Sequence, residues 1–210
     1  NNMVGETLYA GLEVAGVIDP QQDSVSAVNL LKLYNTATGK TLTEAKAISD
    51  ADFIRYATYV IGMYQDRMSK VSTLFNTGGK ERFTPKDMQH VVLLSDFSKA
   101  SEAFLMSATF NEDRVALPSH ESVPFWQGSG LTYGFADTSA INVKTSSGKV
   151  VALTGIIGVI FDRDALGVSN LSRRVTTNYN AKAEFYTNFY KFDAGYYNDL
   201  NENIVVFFVA

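Results

Sequence analysis

The run SDADFIRYATYVIGMYQDRMSKVSTLFN, from Ser49 to Asn76, decides how the rest of the chain is read. Phe53, Ile54, Ala57, Val60, Ile61, Tyr64, Met68, Val71, Leu74 and Phe75 recur at three-and-four spacing, which stacks side chains on one face of an α-helix. Arg55, Gln65, Asp66, Arg67 and Lys70 fall largely between them. Ser49 is placed to cap the start, Asp50 and Asp52 set negative charge against the positive end of the helix dipole, and Asn76, Thr77, Gly78 and Gly79 supply a stop. A helix of this span is about 40 Å long, while a compact chain of this length is about 43 Å across. The spacing therefore predicts a strut crossing nearly the whole molecule. Its buried seam is expected at Phe53, Val60, Ile61, Met68 and Val71, laid on strands between Arg173 and Phe192.

On the N-terminal side, Gly5, Gly11, Gly16 and Pro20 interrupt every pattern, which predicts loop with at most a short helix. Ser24 is a candidate cap for a short helix through Val25, Val28, Leu31 and Leu33, ended near Gly39. On the C-terminal side, 80–86 reads as a polar connector. His90 to Leu94 then reads as a buried strand, followed by a helix from Phe97 to about Thr109 capped by Asp96. Pro118, Pro124 and glycines 128, 130 and 134 mark a loop-rich interval with short strands near Val115 and Val123. Val150 to Phe161 is β-branched and reads as one buried strand, closed by Asp162, Arg163 and Asp164, after which Ala165 to Gly167 opens a turn or short helix. Strands are expected at Arg173 to Thr177 and Lys182 to Phe192. The latter carries Phe185 and Phe189 on one face and Tyr186, Tyr190 and Phe192 on the other, so both faces require cover. The long helix is the candidate for one face and a neighbouring subunit for the other. Asn198 to Asn203 is a polar turn, and Ile204 to Ala210 a closing apolar strand.

Composition narrows the function classes. With 46% hydrophobic and 19% charged residues the chain is globular, and zero cysteines exclude a disulfide framework and cysteine-based zinc sites. A net charge of −4 argues against a dedicated nucleic-acid binder, which needs a surplus of Lys and Arg to neutralise phosphates. The longest near-apolar run, Val150 to Phe161, is too short to cross a bilayer, and no signal peptide is visible at the start. The opening on Asn1 and Asn2 rather than Met reads as a processed or trimmed start.

Candidate chemistry is sparse. Gly128, Gly130 and Gly134 approximate a dinucleotide fingerprint, but the third glycine falls one residue late and no strand and helix flank it. Gly78-Gly79-Lys80 has the tail of a phosphate loop, yet it follows a helix where a strand is required, and it reads better as a C-cap. Two histidines, His90 and His120, are too few for a multi-histidine metal site. Asp162 and Asp164 are the paired carboxylates a hydrolase would need, although Asp at a strand end is ordinary turn chemistry. The tyrosine-rich stretch from Tyr179 to Tyr197 offers stacking platforms of the kind a carbohydrate-binding module uses, or anchors for a protein interface. No catalytic, cofactor-binding or metal residue is assigned.

Several runs carry a family resemblance: GVIFDRDALG (Gly158 to Gly167), RRVTTNYN (Arg173 to Asn180), FYKFDAGYYNDL (Phe189 to Leu200) and NIVVFF (Asn203 to Phe208). Together they resemble the C-terminal part of tailed-bacteriophage major capsid proteins. FTPKDMQHVVLL (Phe83 to Leu94), followed by a helix, is similar to that family's entry into its axial domain.

The resemblance implies an α+β chain of the Hong Kong 97-like capsid fold. It places a peripheral domain at 49–86 and 171–197, with the spine helix on a β-sheet. A mixed axial domain then occupies 87–170 and 198–210, and 1–48 is an N-terminal remnant whose arm and extended loop are absent or truncated. It implies a structural protein, not an enzyme, that tiles an icosahedral shell around DNA. Its partners would be copies of itself in hexamers and pentamers, with scaffold, portal and maturation protease beside them. The shell would assemble in the bacterial host cytoplasm, with no cofactor, membrane or specific nucleic-acid sequence. The rival readings are a carboxylate-dependent hydrolase using Asp162 and Asp164, and an aromatic-rich carbohydrate-binding module.

Overall fold

The computed structural model describes residues 1–9, 13–14, 17–18, 23–106, 117–127, 133–144 and 148–210. Its centre is a mixed five-stranded sheet in the order β3 (Ala27–Asn29), β13 (Ile204–Phe208), β8 (Ile156–Asp162), β4 (Gln89–Leu94) and β5 (Glu121–Val123). The inner pairs β13 with β8 and β8 with β4 are antiparallel, and the outer pairs β3 with β13 and β4 with β5 are parallel. Strand β13 is buried along its whole length, so a continuous apolar run such as IVVFF serves both faces. Val205, Phe207 and Val209 enter one core cluster, while Ile204, Val206 and Phe208 enter the other.

Helices α2 (Leu30–Thr38), α4 (Ala51–Met68) and α5 (Ser95–Met106) bring apolar faces to the first cluster. Helix α1 (Asn2–Tyr9) and the β6 (Ile141–Lys144) and β7 (Val150–Leu153) hairpin bring theirs to the second. The molecule is α+β and three layers deep here; β1 (Glu13–Val14) and β2 (Val17–Ile18) pair with each other apart from the central sheet, and α3 (Glu44–Ala47) is a single turn ahead of α4. A bulge opposite Phe207 and Phe208 lets Ile157 and Ile160 both face the helices, which strict alternation would forbid. Gly158 leaves the space that Leu93 fills beneath α4, because a β-carbon there would overlap the Leu93 side chain.

The strut is shorter than its periodicity suggests. Helix α4 has 18 residues, about 27 Å, and its cap is Asp50, which accepts from the Phe53 N–H at 2.8 Å. Phe53, Ile54, Ala57, Val60, Ile61, Tyr64 and Met68 are buried as the spacing requires. Val71 and Leu74, by contrast, are exposed. The helix stops because the chain must return: Ser72 bridges Arg82, and the Thr84 N–H donates to the Met68 carbonyl. This fold-back sets the Phe75 ring against Tyr64, 6.2 Å between centroids, where a continued helix would hold the two residues about 16 Å apart along its axis.

The expected seat of the helix is corrected as well. Its partners are Val91, Leu93, Ile157, Ile160, Val205 and Phe207 of the central sheet, and no residue of 171–197 joins that core. Segments assigned from sequence to separate domains, 49–86 and 87–170, therefore share one core. Three further expectations change. Val150 to Phe161 is two strands, because Gly155, at φ 71, breaks it into β7 and β8. Ser24 accepts from the Ala27 N–H, but the turn it caps leads into β3, and Asn29 caps α2, which ends on left-handed Gly39 as expected. The short helix expected from Ala165 is a single 3-10 turn, Arg163–Ala165, that ends there, and Leu166 opens strand β9 (Leu166–Asn170). The strand expected near Val115 lies outside the described residues, as does most of the 128–134 glycine run.

Candidate assembly surface

After Ala165 the chain leaves the core. Strand β9 (Leu166–Asn170) pairs with β12 (Ala194–Asn198), and β10 (Arg174–Asn180) pairs with β11 (Phe185–Lys191), all antiparallel. Three residues, 171–173, stand opposite two, 192–193, and the Leu171 N–H donates to the Asp193 carbonyl across the gap. The result is one two-stranded ribbon from Leu166 to Asn198. Its strands, 166–180 and 185–198, are fifteen and fourteen residues long, which makes it about 50 Å long.

Its tip is a turn, 181–184, in which Asn180 Oδ1 accepts from the Lys182 and Ala183 N–H groups. Glu184 sits at φ 53, a left-handed conformation that costs a non-glycine residue about 1 kcal/mol. Glu184→Gly is expected to relieve that strain and raise hydrogen-exchange protection of the β10 and β11 amides about threefold, glycine's entropy offsetting part of the gain. Unchanged protection would mean that the turn is unstrained. The root is fixed by packing: Gly167 lies beneath the Tyr197 ring, where a β-carbon would overlap it. The Asp199 N–H donates to the Ala165 carbonyl at 2.8 Å. Backbone and side-chain amides of Asn201 hold the Asp199 carboxyl below its usual value. Because that carboxylate is favoured by folding, the turn is tightest above the ordinary aspartate range and loosens as pH falls through the depressed value.

Both ribbon faces are aromatic and bare. Register puts Val175, Tyr179, Tyr186 and Tyr190 on one face and Phe185, Phe189 and Thr176 on the other. The Tyr179 and Tyr186 rings meet in a tilted contact at 4.8 Å, yet Tyr190 is 75% exposed, Phe192 73% and Tyr196 84%. With roughly 200 Å² per aromatic side chain, the eight aromatics of the ribbon leave on the order of 1,000 Å² uncovered, divided between its two faces. Where the ribbon joins the body, an apolar cleft of about 450 Å³ opens. Its floor is Val92, Val159, Phe161 and Ile204 of the sheet, and Trp126 and Val168 are among its walls.

The other candidates are structural. Asp162 is buried, with Oδ2 accepting from the Thr84 hydroxyl at 2.7 Å and Oδ1 from the Asp164 N–H at 3.0 Å. Asn203 Nδ2 donates to the same Thr84 hydroxyl, tying the 69–84 loop to the end of β8 and β13. Asp164 is exposed and shares no ligand-facing geometry with it. Asp162→Ala is expected to destabilise the chain by about 2 kcal/mol, with Asp162→Asn costing less and Asp164→Ala near zero. Equal effects from both alanines in chemical denaturation would contradict the latch. His120 Nδ1 meets the Pro118 carbonyl at 2.8 Å, so the proton sits there and Nε2 accepts from Ser98 at 2.9 Å. His90 pairs with Glu121 at 3.1 Å. Gly78 and Gly79 lie ten residues past α4, in the loop that Asn76 closes through hydrogen bonds to Lys80, so they cap nothing. Gly134 caps the short helix α6 (Phe135–Thr138). Among the described residues no three His, Asp or Glu converge on a metal-sized site, and no described helix is long and apolar enough to cross a membrane.

The sequence signal for this surface was the pair of aromatic faces in 185–192; the signal missed was that strand pairing runs outward from the body. The solved capsid structure of Staphylococcus phage Andhra contains a chain 13% identical to this one, with a TM-score of 0.36, over 86% of this chain and 58% of that chain. This chain thus spans a little over half the length of that capsid chain. No curated protein sequence matches. The model of the Phi29-like phage major capsid protein family matches residues 22–208, nearly the whole chain, and the chain belongs to that family.

Proposed function

We propose that this chain is a capsid tile: a non-enzymatic subunit that assembles with copies of itself into a closed icosahedral shell around phage DNA, in the cytoplasm of the bacterial host. The observation that carries the reading is the ribbon, about 1,000 Å² of bare aromatic surface on a body whose cores are otherwise well buried. Such a surface is complete only when another molecule covers it, and a standard interface covers about 800 Å² on each partner. In Hong Kong 97-like terms α4 is the spine helix, and the ribbon, which includes 171–197, is the peripheral part that reaches outward, while 49–86 shares its core with 87–170. The sheet under the spine is then the central five-stranded one. Copies arranged as hexamers and pentamers gain strength by repeated closure of modest contacts, and scaffold, portal and maturation protease are the expected accessory partners.

Electron microscopy of the purified chain at rising concentration tests the proposal. Rings, tubes or shells are expected. A chain that stays monomeric at the highest attainable concentration, and in the presence of a scaffold encoded beside it, would sink the reading.

A further inference from the structure

We propose that the apolar cleft at the root of the ribbon receives the ribbon tip of a second copy, so that copies join head to tail. The inference rests on the capsid reading and adds to it a specific donor and a specific acceptor.

Three observations carry it. The first is reach. The tip, 181–184, lies about 50 Å from the root along the ribbon, and register holds β10 on β11 and β9 on β12 throughout. A chain cannot place its own tip in its own cleft without undoing both ladders. The second is fit. The cleft offers about 450 Å³ between Trp126, the sheet floor and Val168. Phe185 and Phe189 share one face next to the tip, about half exposed and without a hydroxyl to satisfy. The opposite face already covers part of itself through the Tyr179 and Tyr186 rings. Phe185 therefore leads into the cleft and Phe189 meets its rim.

The third observation is charge. The ribbon, 166–198, holds four cations, Arg173, Arg174, Lys182 and Lys191, against two anions, Glu184 and Asp193. Its charge is +2, and the rest of the chain carries −6. Two ribbons laid on each other would repel, whereas a neighbour's acidic body attracts a ribbon from a distance; no acidic side chain is among the described residues that line the cleft, so charge steers the encounter and the apolar contact holds it. The contact is heterologous, since each copy gives a tip and accepts one. A repeated heterologous contact closes into a ring when its rotation permits, as a hexamer or pentamer requires.

The chain has no cysteine, so engineered thiols report cleanly. Ala183→Cys marks the exposed tip and Asn2→Cys the exposed rim of the cleft, and neither removes an aromatic side chain. Assembled protein is treated with a short bis-maleimide and run on a denaturing gel, with electron microscopy confirming assembly of each variant. The expected result is a dimer band from the 1:1 mixture of the two single variants, little or none from either alone, and a ladder of multimers from the chain carrying both. Ala183→Cys crosslinking to itself would overturn the proposal in favour of tip-to-tip contact. Assembled particles with no tip-to-cleft product would also overturn it while leaving the capsid reading intact. Failure of the unmodified chain to assemble at all would remove that reading, and this inference with it.

Discussion

Phe185→Ser combined with Phe189→Ser is expected to leave the chain folded and to raise the concentration needed for assembly about a thousand-fold. Both rings stand about half exposed on the ribbon and belong to neither core cluster, so their loss should move stability by no more than about 0.5 kcal/mol. In the proposed head-to-tail contact the same rings are anchors. Truncating an aromatic anchor at an interface centre costs about 2 kcal/mol, and two such losses reach about 4 kcal/mol, close to three decades in concentration. Light scattering across a concentration series reads the threshold, and the urea midpoint of the dissociated subunit reads the fold. Tyr59→Ser is the matching control, since Tyr59 is even more exposed, on α4, away from the ribbon. A threshold that moved as far for Tyr59 as for the phenylalanines would show that general surface hydrophobicity, not the ribbon, drives association.

The contrast between α4 and the ribbon explains what the sequence could convey. Helix α4 is legible because a helix buries one stripe, and the stripe from Phe53 to Met68 repeats on the helical period. Its C-terminal end is not legible. Val71, Leu74 and Phe75 keep the period, and only the long-range returns from Thr84 to Met68 and from Arg82 to Ser72 end the helix. The ribbon fails in a different way. Its strands and their aromatic alternation are visible in 174–191, and so is the need for cover on both faces. What covers them depends on where the strands point, which register and a root hinge at Asp162 to Leu166 decide. An exposed aromatic face and a buried one are written with the same letters. The polar network of Asp162, Thr84 and Asn203 is invisible for a related reason, since residues 78 and 119 positions apart from Thr84 in sequence complete it.

Family resemblance fared better than packing inference. The runs from Gly158 to Phe208 pointed to a phage major capsid protein, and the family match over 22–208 agrees. Packing inference placed the spine on 173–192 because those strands had an uncovered apolar face. The helix instead satisfied the central sheet, where Val91, Leu93, Ile157, Ile160, Val205 and Phe207 present a larger and fully enclosed surface. Burial in a sealed core gains the full transfer free energy of each side chain, about 1.5–3 kcal/mol for a residue such as Phe or Ile, while a two-stranded ribbon could cover only one side of the helix. The ribbon was thereby left free to meet another molecule.

The glycine that split the expected Val150 to Phe161 strand provides the second large effect. Gly155→Ala is expected to destabilise the subunit by about 4 kcal/mol, enough to leave a marginal domain partly unfolded at 37 °C. Two terms contribute. Gly155 has φ 71, which costs an alanine about 1–2 kcal/mol. A β-carbon built there would also overlap the Val209 carbonyl oxygen, a backbone atom that cannot turn aside, and overpacking of this kind costs about 1–3 kcal/mol. The surroundings have little freedom to yield. The Val209 N–H donates to the Gly155 carbonyl at 2.9 Å, and the Gly155 N–H donates to Ser139 Oγ at 3.0 Å, so relieving the overlap breaks one bond or the other. Gly39→Ala separates the terms: Gly39 also has positive φ, 68, but its β-carbon would meet nothing, so only the conformational cost of about 1 kcal/mol should appear. Urea denaturation of both variants measures the difference. Equal midpoints would show that the Val209 carbonyl gives way, and that the end of β13 is looser than its complete burial implies.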